Sequence, residues 1–108
     1  MSLYRFKSRE TGDLVMLEPH GKRILQLLGK EPSGPGILEV AQMSAAVTTL
    51  REAIVLEEAE HKRLVEEALA KGEEAPMFDP VGLRMRCAPF IEMVQRCEGA
   101  KVDIVWGV

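Results

Sequence analysis

The chain has 108 residues, 46% of them apolar and 29% charged, with a formal net charge of −3 at pH 7. These proportions belong to an ordinary globular chain and exclude global disorder, collagen-like repeats and low-complexity character. Uninterrupted apolar runs such as Leu14-Val15-Met16-Leu17 are far below the roughly 20 residues a membrane-spanning helix needs.

The length predicts a single domain over residues 1–108. The first candidate element is Leu3 to Ser8, where Tyr4 and Phe6 alternate with Arg5 and Lys7, the period of a half-buried strand. Over 14–28 the residues Leu14, Leu17, Ile24, Leu25 and Leu28 share one helical stripe, and Gly29-Lys30 supplies a stop. Pro19 constrains that helix: it is comfortable only within about one turn of the start and kinks the helix otherwise. Lys30 to Gly36 contains two prolines and two glycines and reads as a turn. Residues 37–40 are ambiguous between a short strand and the lead into the next helix. Ser44 is a candidate N-cap for that helix, with Val47, Leu50, Ile54 and Leu64 as its buried stripe. Beyond Leu56 the stripe thins, and Glu58/Lys62, Lys62/Glu66 and Arg63/Glu67 fall at ion-pair spacing, which predicts a solvated extension.

In the last helix Asp79 is a candidate cap, Pro80 suits the first position, and Leu83, Cys87, Phe90, Ile91 and Val94 form the buried stripe before Gly99. Pro89 inside it removes the hydrogen bond to the Met85 carbonyl. The chain closes on the clearest strand pattern, with Val102, Ile104, Trp106 and Val108 on one face. An isolated strand pair is marginal in water, so the terminal strands need a helical cover. The expected fold class is therefore α+β: a small antiparallel or mixed sheet including both chain ends, covered on one face by about three helices.

Charge is unevenly distributed. Residues 1–30 carry six basic and three acidic side chains, whereas 57–74 carry three basic and seven acidic. The basic opening, with Arg5, Lys7 and Arg9, is a weak nucleic-acid footprint, because such domains display dense Lys/Arg stripes. No secretory signal is legible at the start, and Cys87 and Cys97 lie ten residues apart in one predicted helix. That spacing is about 15 Å, beyond the roughly 7 Å that a disulfide allows. Both read as buried thiols in a reducing cytoplasm.

Four constellations were candidates for chemistry. Glu58-x-x-His61 has the spacing of a bundle metal ligand pair, but a single copy lacks the further ligands, so no metal and no cofactor are expected. The run Glu18-Pro19-His20-Gly21-Lys22-Arg23 could receive an anion at a helix start, with Arg84 or Arg86 reaching in. It lacks the spacing of a phosphate loop. Cys87 is flanked by Arg84 and Arg86, yet its helical phase is that of the core. Trp106 lies on the apolar face of the last strand, either as core or, at a sheet edge, as an anchor for a partner.

The segments Phe6-Lys7-Ser8, Gly12-Asp13-Leu14-Val15-Met16-Leu17-Glu18-Pro19, Pro89-Phe90-Ile91-Glu92-Met93 and Asp103-Ile104-Val105-Trp106-Gly107-Val108 resemble a family of small bacterial proteins, domain of unknown function family 1840. The likeness runs from end to end and is poorer over 57–78. It implies a single-domain cytoplasmic protein and assigns no reaction, cofactor, partner or functional residue. The expected role is thus a non-catalytic interaction or assembly module, with a homo-oligomer or another protein as partner. The alternative is a small-molecule or anion-binding domain, enzymatic or not, with its site near His20, Lys22 and Arg23.

Overall fold

A computed structural model describes residues 2–108. The element order is β1 (Leu3–Phe6), β2 (Leu14–Leu17), α1 (Glu18–Leu27), β3 (Gly36–Leu38), α2 (Val40–Ala70), α3 (Leu83–Ala100) and β4 (Ile104–Trp106). The fold is α+β, with strands at both chain ends and three helices. Two antiparallel ladders, β1 with β2 and β3 with β4, are joined where Lys7 and Val105 exchange both backbone hydrogen bonds, at 2.8 and 2.9 Å. The two ends of the chain therefore lie side by side.

Register follows from burial. Phe6 faces Leu14, and Leu38 faces Ile104, so these side chains share the face that the helices cover. Phe6, Leu38, Ile104 and Trp106 join Ile24 and Leu25 of α1, Met43, Val47, Leu50 and Ile54 of α2, and Cys87, Phe90, Val94 and Cys97 of α3 in one hydrophobic cluster. Full burial of an aliphatic or aromatic side chain stabilises by about 1.5–3 kcal/mol. The Phe6 ring meets Phe90 edge-on with centroids 4.9 Å apart and Trp106 at 6.0 Å, tying both chain ends to α3. Alternation leaves Leu3, Arg5, Lys7, Val15, Leu17, Ile37 and Val105 on the uncovered face.

Five sequence expectations need correction. The helix expected over 14–28 is split, because Leu14–Leu17 is strand and only Glu18–Leu27 is helical. Pro19 explains the boundary: in a longer helix its ring would clash with the carbonyl of Val15, whereas in the first turn its missing N–H costs nothing. Ser44 is not an N-cap. α2 begins at Val40, where the Gln42 side chain accepts the Glu39 N–H (3.0 Å) and Asp103 accepts the Val40 N–H (3.0 Å). Asp79 and Pro80 lie before α3, which starts at Leu83; the Asp79 carboxylate instead accepts the Val81 N–H at 2.9 Å. Gly99 remains helical, and α3 ends at Lys101, whose φ of 58° and ψ of 45° are left-handed. The last strand is also shorter than expected, and Val108 is exposed beyond it.

α3 continues through Pro89, whose ring faces solvent, so water can satisfy the carbonyl it leaves free. α2 runs 31 residues, about 46 Å at 1.5 Å per residue. Its first half is packed on the body, and its second half carries the ion pairs Lys62–Glu66, Arg63–Glu67 and Arg63–Glu60. Glu58 turns instead to Arg84 of α3. The segment after α2 folds back, and Phe78 stacks on His61 with ring centroids 3.8 Å apart. No helix among the described residues is long and apolar enough to cross a membrane.

Candidate functional site

Pro19 starts α1 so that His20 and Arg23 project toward α3 and α2. Arg86 of α3 brings one guanidinium nitrogen to 2.6 Å from His20 Nε2, and its other terminal nitrogen donates to Asp79 at 3.1 Å. Because guanidinium only donates, Nε2 must be the bare acceptor nitrogen of that ring. Arg23 donates to Glu57 Oε1 at 3.0 Å, and Glu57 Oε2 accepts the Leu83 N–H at 2.8 Å. Glu57 thus joins α1, α2 and the start of α3, satisfying a backbone donor that a helix N-terminus leaves orphaned. Arg84 makes a two-pronged contact with Glu58, both distances 2.8 Å.

The ionisation of these groups follows their partners. The Glu57 carboxyl is held below its ordinary value mainly by the Leu83 N–H, with Arg23 adding and burial opposing. Arg84 lowers the Glu58 carboxyl, and the Val81 N–H followed by Arg86 lowers that of Asp79. Lys22 does not join the cluster: it pairs with Glu18 one turn earlier at 2.6 Å, lowering that carboxyl and rising itself.

The structure therefore brings His20 and Arg86 together, as the anion reading required, and places Arg23 and Arg84 nearby. It gives Arg23, Arg84, Arg86 and Lys22 each a carboxylate partner at contact distance, so their positive charge is already answered. This is a three-helix clasp with little charge left to attract an anion. Trp106 is 1% exposed in the core, and among the described residues its indole N–H has no partner. Its ring lies flat against Gly36, where any Cβ would collide with it. Cys87 and Cys97 are buried free thiols, and burial pushes Cys87 up to about 11. Among the described residues no three metal-ligating side chains converge, and Glu58 and His61 turn to different neighbours.

Two surfaces outside the clasp stand out. One is the outer face of α2, where Val55 is 60% and Leu56 70% exposed beside Thr48, Arg51 and Glu52. The other is a cleft of about 560 Å³ at the junction of the two ladders, lined by Lys7, Ser8, Arg9, Ile37, Lys101, Val102, Asp103 and Val105. Sequence reading missed Glu57, which lay in a run of charges indistinguishable from a solvated face.

The architecture defines the molecule first as an α+β domain whose terminal strands are clamped by three helices. The chain matches the family model described as a domain of unknown function (DUF1840) over residues 2–106, and it belongs to that family. No curated protein and no solved structure matches it.

Proposed function

We propose that this protein is a non-catalytic assembly module that pairs with a second copy of itself through the outer face of α2. The observation that carries this reading is the exposure of Val55 and Leu56 in the middle of a 31-residue helix, a site where solvated helices carry charge. Helical phase adds a charge argument. Glu52 and Arg63 are eleven residues apart, three turns, and so lie on one line with Leu56 and Ala59 between them. In a two-fold antiparallel pair centred midway, Leu56 and Ala59 close the seam, and each Glu52 faces the Arg63 of the other copy, which would share its guanidinium with Glu52 at the expense of its own Glu60 or Glu67. Unlike Arg63, Glu52 has no ion-pair partner in its own chain among the described residues.

Sedimentation velocity tests this. The wild-type chain should dimerise in the micromolar range expected of a small interface, at or below about 100 µM. Leu56→Asp should be monomeric with an unchanged melting temperature. Glu52→Arg should weaken the dimer, and adding Arg63→Glu should restore it. A wild-type monomer throughout that range, or a Leu56→Asp dimer as tight as wild type, would refute the reading.

A further inference from the structure

We infer that the cleft at the junction of the two ladders binds a small phosphate-bearing molecule, its phosphate on Arg9 and Lys101 and its apolar body on Ile37, Val102 and Val105. Three parts of the chain build it: residues 7–9 after β1, Ile37 of β3, and residues 101–105 leading into β4. Strand alternation buries Phe6 and turns Lys7 to the uncovered face, where Lys7 pairs with Val105. Arg9 follows two residues later. From the other end, α3 stops at Lys101 in a left-handed conformation that favours glycine, and this lysine lines the cleft.

The polar inventory favours an anion. Three cations and one carboxylate line the cleft, in a protein whose net charge is −3. The carboxylate, Asp103, is engaged by the Val40 N–H at 3.0 Å. Ser8 is turned to its own loop, its hydroxyl accepting the Glu10 and Thr11 N–H groups and lying 2.8 Å from the Thr11 hydroxyl. Lys7 Nζ donates to the Val108 carbonyl at 3.1 Å and keeps further N–H donors. Among the described residues neither Arg9 nor Lys101 has a carboxylate within 4.0 Å, in contrast to Arg23, Arg84 and Arg86 in the clasp. A guanidinium offers phosphate a planar two-pronged donor set, and an ammonium adds a compact point charge. Ile37, Val102 and Val105 supply apolar wall, and the volume falls within the range of small-molecule sites.

Amide chemical-shift titrations with phenyl phosphate, inorganic phosphate, a poly-dT oligonucleotide and sodium chloride at matched ionic strength test the site. Phenyl phosphate should shift Lys7, Arg9, Ile37, Lys101 and Val105 saturably, and bind more tightly than inorganic phosphate. Arg9→Gln with Lys101→Gly should weaken it about tenfold, the cost of one or two charged contacts. Glycine suits the backbone at 101, so this variant should melt no lower than wild type. The monomeric Leu56→Asp variant should bind as wild type does, which separates this site from the α2 interface. Shifts that chloride reproduces, or that persist in the double variant, would overturn the assignment. So would oligonucleotide binding tighter than phenyl phosphate with shifts spreading to Arg5, the mark of a nucleic-acid face.

Discussion

The two faces of α2 meet different surroundings. One face presents Met43, Val47, Leu50 and Ile54 to the terminal strands and α3, all buried. The opposite face, at the same level along the helix, presents Val55 and Leu56 to solvent. Both are aliphatic, so hydropathy along the chain does not separate them; only packing partners do. The fold covers one apolar face of the helix and leaves Val55 and Leu56 on the other in water, where the proposed pairing would cover them.

That difference sets the order of mutational effects. Leu50→Ala should cost about 2–5 kcal/mol, because it opens a cavity in a close-packed core; chemical denaturation reads it directly. Glu57→Ala should cost about 1–3 kcal/mol, since it strands the Leu83 N–H and releases Arg23. The Glu57 carboxyl is lowered in the folded state, so its contribution is complete above the ordinary value of 4.5 and is lost as pH falls through the folded value. The stability gap between wild type and Glu57→Gln should accordingly be widest near neutral pH and close in acid, as paired melts would show. Arg63→Ala should lower stability by only a few tenths of a kcal/mol, its partners being exposed on one helix. Leu56→Ala should be smallest of all, within about 0.5 kcal/mol in the monomer. A cost at Leu56 comparable with that at Leu50 would erase the distinction between the faces.

What the sequence revealed followed local periodicity. The period-two pattern around Ile104 and Trp106 located β4, and the helical stripe through Cys87, Phe90 and Val94 located the core face of α3. Leu14-Val15-Met16-Leu17 misled because an unbroken apolar run fits either period, and the strand it forms depends on β1, which the run itself does not encode. The cap on α2 was invisible for a related reason: Asp103 reaches Val40 across 63 residues of sequence. The sequence put His20, Lys22 and Arg23 in one candidate cluster with Arg84 or Arg86 reaching in; the folded chain sets Arg86 against His20 and turns Lys22 away to Glu18. The pairing of Arg23, Arg84 and Arg86 with Glu57, Glu58 and Asp79 was not readable, because pairing is a property of distance in the folded chain. The cationic cleft escaped for the mirror reason, since Arg9 and Lys101 become neighbours only when the chain ends meet.

Self-association through the outer face of α2 is most directly tested by a nitroxide label at Ser44→Cys, read by pulsed electron double resonance, both native cysteines being buried. An antiparallel pair centred between Glu52 and Arg63 sets the two labels about 40 Å apart, given 1.5 Å of rise per residue. A separation below about 20 Å, as parallel helices would give, or no coupling at concentrations where the protein should be dimeric, would contradict it.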